Sequence, residues 1–524
     1  MSEAVSSPRY NALDCVRGSA MLLGVYYHAI LFAGMVGGGR GGPGGPPGGG
    51  SMVFQEWLHS FRMPLFFLVS GFFCRMMYQK YGLRRYLERR WWRIGVPLLV
   101  GLFTFVPLYL LSFQFFGGGP GGPGGPPPSM RDGGDPAWRG PGGPPPQGFE
   151  MAGPDGPRLG PPMGPPPGAV GGPGGPGGGP PRGPGGPGRG GPFGPPGVVS
   201  EWLFGPYARY FALNHLWFLW YLLLFATFAP AVAWLADVTV GRRAAGAIDP
   251  AGLTLLRLDL IPLLLGLASI PALRLASGGF GGGWSLGMAA GIGRGFPDFL
   301  FHLEWDMPFY LSYFLVGWWL HRERAGLADV AKRWLPSLAI GTMAQAVAGL
   351  LSMAQGRPPA GSSSSLIPAA GISLYAVGSA YTAFGFLGFF QRYLDRPTRA
   401  GRYLADTAFW IYLVHQPLLA PVLKVIVPLG LPWWLQALAA STLASAAGLV
   451  LYELIVKPTP LAALFGPARA SKIAQTTAEP AAECPGLDGG GEADGVGSIL
   501  ASDPGYNLER IGVESMSDAG SPAS

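Results

Sequence analysis

Apolar runs of about 20 residues alternate with short polar loops along most of this chain, and each run is long enough to cross a bilayer core as an α-helix. The pattern therefore predicts an all-α integral membrane protein with about ten transmembrane helices. The predicted spans cover residues 12–35, 57–79, 92–115, 212–236, 252–276, 303–321, 335–354, 367–390, 404–426 and 433–456.

Lysine and arginine side chains concentrate in every second loop between these runs. Because positive charge is retained on the cytoplasmic side of a membrane, both termini are predicted to be cytoplasmic. The same alternation predicts an even number of spans. The loops with few such charges, which we assign to the outer side, lie near 37–51, 277–300, 355–366 and 427–432.

Glycine and proline contribute 87 and 56 of the 524 residues and crowd into two stretches, 37–50 and 117–198. A tract of this composition cannot bury enough apolar area to offset its ordering cost. We interpret both as Gly/Pro-rich outer loops that interrupt a membrane domain over 9–458, and 459–524 as a disordered cytoplasmic tail. Contact of the longer tract with a glycan or the cell wall is the alternative.

Composition excludes several other classes of protein. Hydrophobic residues make up 48% of the chain and charged residues 12%. The net charge is +7, and the basic residues that carry it lie in short loops beside apolar runs and not on a separate basic module. Nucleic acid is therefore not an expected partner. Cys15, Cys74 and Cys484 have neither paired nor metal-ligand spacing, so no disulfide and no metal site is predicted.

The first apolar run contains three ionisable residues, which makes it a retained helix and not a cleaved signal. Asp14 and Arg17 are three residues apart and can pair on one helical face. His28 follows Arg17 by eleven residues, about 16 Å along the same face. An arginine at the entry suits an anionic ligand, and a histidine deeper in the membrane suits general-base chemistry on a hydroxyl.

Further polar side chains interrupt later apolar runs. Buried ionisable groups are expensive in a bilayer and mark candidate sites for function. Hydrogen bonding between helices explains any single one of them equally well. The candidates for substrate binding are Arg62 in the second run, His215 and Trp217 in the fourth, and Tyr412 and His415 in the ninth.

Four segments in order carry a family resemblance: RYNALDCVRGSAMLLGVYYH, FRMPLFFLVSGFF, HLWFLWYLLLF and DTAFWIYLVHQPLL. Together they resemble the acyltransferase-3 family, and within it the branch of the osmoregulated periplasmic glucan succinyltransferase. The resemblance covers roughly 9–458 apart from the two Gly/Pro tracts. The longer tract departs from the family pattern and leaves the acceptor open.

The resemblance implies a ten-helix core in the bacterial inner membrane that moves a succinyl or acetyl group from cytoplasmic acyl-CoA to a hydroxyl of a periplasmic or cell-surface glycan. It places His28 in the catalytic position and Arg17, beside Asp14, in an essential one. The basic run Arg89, Arg90 and Arg93 would face the CoA phosphates. Acyl-CoA is the co-substrate, no further cofactor is implied, and the oligomeric state stays open.

Several alternatives remain at this point. Direct transfer and a two-step acyl-enzyme route are both possible, and Ser70 and Cys15 are conceivable nucleophiles with simpler roles in helix packing. A multi-span transporter or flippase would also place charges along a membrane pathway. A non-catalytic receptor or sensor would make the same residues structural.

Overall fold

The computed structural model describes residues 10–36, 49–116, 198–239, 241–276, 296–301, 304–354 and 366–466. These ranges contain fifteen α-helices, joined in places by 3₁₀ and π-helical turns, and no β-strand. The predicted all-α class is confirmed for them. Most of both predicted insertions (37–50 and 117–198) and of the predicted tail (459–524) lies outside the described residues.

The α-helices are, in chain order, α1 (Asn11–Val36), α2 (Gly49–Arg90), α3 (Val96–Phe103), α4 (Phe105–Phe116), α5 (Val198–Phe204), α6 (Trp217–Thr239), α7 (Gly241–Arg257), α8 (Leu260–Ala276), α9 (Met307–Arg322), α10 (Gly326–Lys332), α11 (Trp334–Ala354), α12 (Leu366–Tyr393), α13 (Arg399–Ile426), α14 (Trp433–Leu451) and α15 (Ala462–Phe465).

Seven helical runs in the described ranges are long and apolar enough to cross a membrane, and a bent pair of helices makes eight. The predicted count of ten spans is therefore not confirmed. One run, Val53–Phe116, has 64 residues and contains two of the predicted spans. Helix α9 has 16 residues, fewer than the roughly 20 that a bilayer core requires. The predicted orientation of the termini stays a prediction.

The long second run is helical where the sequence predicts a loop. Helix α2 continues past residue 79 to Arg90 and is interrupted only at Gly82, whose φ of 71° lies in the left-handed region. Glycine adopts this conformation without steric cost. A π-helical turn at Trp91–Gly95 then leads into α3. The basic residues of this stretch therefore lie on helical turns and not on an irregular loop.

The predicted span 252–276 is wrong as a single helix, because α7 and α8 meet at a bend of 102°. Pro262 has no N–H to bond the carbonyl of residue 258, so a regular helix cannot continue through this point. Asp259 occupies the break with a φ of 61°. Its carboxylate accepts a hydrogen bond of 3.0 Å from the Ser337 hydroxyl, and its backbone carbonyl accepts one of 3.0 Å from Tyr381.

Helices α2 and α9 cross with their backbones in direct contact. A Cβ atom at Gly71 would overlap the carbonyl oxygen of Phe314, and one at Gly317 would overlap that of Leu68. Small residues commonly permit such close packing between membrane helices. Gly71 belongs to the SGFF segment of α2, so this part of the motif has a packing role.

Candidate active site

A cavity lies inside the bundle between α1, α2, α4, the start of α6 and α13. Apolar side chains form most of its wall, including Met21, Phe66 and Phe218. The polar and amphipathic side chains that line it are Tyr27, His28, His59, Arg62, Tyr109, Asn214, His215, Trp217, Tyr412 and Gln416. Apolar walls with a few convergent polar groups are typical of ligand sites.

The cavity follows α1 along much of the length of that helix. Its lining on α1 extends from Ala20 to Phe32, which lie about 18 Å apart along the helix. His28 lies within this stretch and is only part-buried, because its ring faces the cavity. Arg17 precedes the first lining residue by three positions, about one helical turn. The cavity therefore begins close to Arg17 and reaches past His28.

The ring of His28 is held by a chain of hydrogen bonds to α13. Nδ1 of His28 lies 2.9 Å from Nε2 of His415, and Nδ1 of His415 lies 2.6 Å from the backbone carbonyl of Tyr412. The ring centres of His28 and His415 are 5.0 Å apart, and the ring of Phe32 stacks on His28 with 5.6 Å between ring centres. His415 thus contacts the candidate catalytic residue directly, whereas the sequence predicts substrate binding for it.

Arg62 is a buried cation in the same cavity, with only 7% of its surface exposed. Its guanidinium carbon lies 5.1 Å from the ring centre of Tyr27. Among the described residues no carboxylate forms an ion pair with it, and its Nε has no hydrogen-bond partner. A buried charge without a counter-charge is expensive. The site therefore suits a ligand that brings a negative charge.

The depth of Arg62 differs from the sequence-based expectation. Starting the second span at residue 57 places Arg62 near its outer end, but α2 begins at Gly49. Arg62 therefore lies thirteen residues, about 20 Å, from the start of the helix. His59, three residues earlier, is also buried and lines the cavity, with its ring 5.1 Å from that of Tyr27.

His215 enters the cavity from a short 3₁₀ turn that precedes α6, and Trp217 enters it from the first position of α6. Asn214 has a φ of 44° in this turn, a conformation that asparagine adopts more readily than most residues. The Tyr412 hydroxyl donates a hydrogen bond to the carbonyl oxygen of His215. The start of α6 is therefore joined to α13 beside the cavity.

A second charged group lies at the start of α1, outside the cavity lining. Asp14 and Arg17 form the predicted ion pair, with 3.3 Å between their charged groups. Arg93 is within electrostatic range of Arg17, Arg89 and Arg90, and its Nη1 donates a 2.6 Å hydrogen bond to the Gly466 carbonyl. We call Arg17, Arg89, Arg90 and Arg93 the basic rim.

Sequence reasoning did not identify Tyr27, Asn214 or Gln416 as site residues. Each is the immediate neighbour of a residue that was identified, and this adjacency was the available signal. Within the described ranges, no group of three or more His, Cys, Asp or Glu residues could hold a metal ion.

Comparisons with known proteins add to this geometry. A family model described as an acyltransferase domain matches residues 10–453. Proteins named Glucans biosynthesis protein C from Salmonella paratyphi B and Salmonella heidelberg are 32% and 33% identical to this chain over 108 residues. That match covers 21% of this chain and only 27% of the length of each relative. No solved structure matches this chain.

Proposed function

We infer the function from one premise: this chain belongs to the acyltransferase-3 family. We propose that it moves an acyl group from acyl-CoA to a hydroxyl of a glycan at the outer face of the bacterial inner membrane. The chain is a membrane acyltransferase, since its family and its apolar helices both support that description. The donor, the acceptor and the acyl group are the proposed parts.

The observation that carries this proposal is the position of His28, an ionisable ring that faces a largely apolar cavity inside the bundle. Neutral imidazole is a suitable general base near neutral pH. His28 takes the proton of the acceptor hydroxyl as its oxygen attacks the thioester carbon. The new C–O ester bond forms, the C–S bond breaks, and the same proton passes from His28 to the leaving sulfur of CoA.

The basic rim supports acyl-CoA as the donor. Four guanidinium groups near one end of α1 suit the phosphates of CoA, because arginine binds phosphate through several donors at once. The cavity begins one helical turn from Arg17 and reaches His28, so a pantetheine arm can follow it to the candidate base. On the predicted orientation this rim is cytoplasmic, the side on which acyl-CoA is found.

Arg62 favours a succinyl over an acetyl group. The free carboxylate of a succinyl group would supply the negative charge that the described surroundings of Arg62 lack. A charge-assisted hydrogen bond between arginine and a carboxylate is also stronger than a neutral one. An acetyl group offers no such partner.

A glycan acceptor is supported by the names of the relatives, which refer to glucan biosynthesis. Those names belong to proteins of which this chain matches about a quarter of the length. Trp217 and Tyr412 in the cavity wall are consistent with a sugar, since aromatic side chains carry apolar faces beside a polar group.

The test is transfer of radiolabelled succinyl or acetyl groups from CoA to a glucan in membranes that contain the protein. We expect transfer by the wild type and a loss of at least about 1,000-fold in His28→Ala, because a base in the transition state contributes on this scale. His321→Ala, which removes a buried histidine outside the cavity, is the matched control. Near-normal turnover by His28→Ala at equal protein level would remove His28 from the mechanism, and movement of a solute without acyl transfer would favour the transporter alternative.

A further inference from the structure

The hydrogen bonds between α1 and α13 determine which nitrogen of His28 carries a proton. A backbone carbonyl only accepts hydrogen bonds, so Nδ1 of His415, 2.6 Å from the Tyr412 carbonyl, must be protonated. In a neutral imidazole the other nitrogen then has the free lone pair. Nε2 of His415 is therefore the acceptor in its 2.9 Å contact with His28.

The donor in that contact must be the Nδ1–H of His28. If His28 is neutral, its Nε2 then carries the free lone pair. The opposite arrangement would need a positively charged His415 that donates from both nitrogens. Arg62 already places a positive charge near both rings, and a second one in the same apolar interior would be strongly disfavoured.

We propose that His415 is a positioning residue that holds His28 in the Nδ1–H tautomer, which leaves Nε2 of His28 as the base that accepts the proton of the acceptor hydroxyl. When Nε2 takes this proton, the Nδ1–H bond to His415 stabilises the resulting imidazolium. The buried His415 thereby has the role that a carboxylate has beside the histidine of many hydrolases. An uncharged partner suits a site that holds no carboxylate beside these rings in the described structure.

This inference rests on the proposed function for its chemistry, but its first test needs no turnover. The chain has six histidines, so a ¹⁵N-histidine spectrum of the full-length protein in detergent is tractable. The signals of His28 are identified by their loss in His28→Ala. We expect the Nδ1–H tautomer for His28 in the wild type and a change to the Nε2–H tautomer in His415→Phe. An Nε2–H tautomer in the wild type would overturn the proposal, even if the His415 variants do not accumulate.

The second test separates positioning from packing. We expect His415→Phe to lower kcat at least about 100-fold, with an apparent KM for acyl-CoA within about threefold of the wild type, because a wrong tautomer removes the base and not the binding site. His415→Gln places an amide oxygen near the position of Nε2 and should recover part of kcat. His321→Phe, the same change at a buried histidine of α9 outside the cavity, should transfer normally.

The outcomes distinguish this inference from the proposed function. Normal kcat in His415→Phe together with an inactive His28→Ala would overturn the positioning role and leave the acyltransferase reaction in place. Equal losses in the Phe and Gln variants, with the His28 tautomer unchanged, would also overturn it. A wild type that transfers no acyl group but shows the expected tautomer would instead overturn the proposed function.

Discussion

Arg62 lies inside the bundle because Gly24 leaves room for it. A Cβ atom at position 24 would collide with Nη1 of Arg62, so the guanidinium packs directly on the backbone of α1. Gly24 precedes His28 by four residues, about one helical turn. The candidate base and the buried cation therefore both line the cavity, about one helical turn apart along α1.

We predict that Gly24→Ala lowers succinyl transfer about tenfold or more but leaves acetyl transfer less affected. The new methyl group displaces the end of the flexible Arg62 side chain. The cost to stability should therefore be small, while the guanidinium charge of Arg62 moves away from its position in the cavity. The ratio of turnover with succinyl-CoA to turnover with acetyl-CoA is the measurement. Gly18→Ala is the control on the same helix, since its Cβ would meet the Leu404 side chain at 3.3 Å and the Ala405 backbone at 3.4 Å and not Arg62. An unchanged ratio in Gly24→Ala and in Arg62→Gln would exclude a carboxylate contact.

Much of the candidate site can be found from the sequence, because ionisable side chains inside apolar runs are rare and costly. The structure places His28, Arg62, His215 and Tyr412 around one cavity. The role of His415 could not be found in this way. It depends on a contact between two rings 387 residues apart in the chain, and no local pattern encodes that distance.

At the scale of helices, α2 and α9 cross with their backbones in contact. Gly71 and Gly317 each face a backbone carbonyl of the other helix. Backbone atoms cannot move aside as a side chain can. The helices would have to separate to admit even one methyl group.

We therefore predict that Gly71→Ala or Gly317→Ala destabilises the protein by at least about 2 kcal/mol, the scale of overpacking in a tight core. The midpoint of thermal unfolding in detergent is the measurement. Gly349→Ala is the matched control, because the atoms nearest to its Cβ would be those of the Val53 side chain, the first at 3.2 Å. An equal midpoint for Gly71→Ala and Gly349→Ala would mean that the two backbones are not held in contact.

The all-α class follows from the length of the apolar runs, but helix ends and breaks do not. The run Val53–Phe116 continues through a stretch rich in arginine, which reads as a loop because it is polar. The break at Asp259 depends on tertiary partners, Ser337 and Tyr381, that compensate the interrupted hydrogen bonds. Pro262 marks the break locally, but a single window of sequence determines neither the long helical run nor the geometry at Asp259.

At the scale of the whole molecule, the predicted orientation puts the candidate base at mid-depth. With Arg17 at the cytoplasmic surface, as that orientation predicts, His28 lies about 16 Å further along α1 and so near the centre of a bilayer core about 30 Å thick. On the predicted orientation, the donor reaches it from the cytoplasmic side and the acceptor from the outer side. The two halves of the reaction therefore draw on different aqueous compartments.

The supply of donor and acceptor from opposite sides makes the proposed reaction electrogenic. The acceptor's proton ends on the CoA sulfur inside, and the carboxylate of a succinyl group moves outside, so two charges cross in the direction that an interior-negative potential favours. Each charge that crosses contributes about 2.3 kcal/mol per 100 mV.

The test uses vesicles that enclose succinyl-CoA, with an acceptor sugar outside. We expect transfer to proceed further when the inside is negative than when it is positive. The difference should be smaller for acetyl-CoA, which moves only the proton. Equal progress at both signs of potential would place donor and acceptor on the same side. If transfer does depend on the sign of the potential, the membrane voltage is itself a driving force for acylation. A de-energised cell would then modify its glycan less, even when acyl-CoA is plentiful.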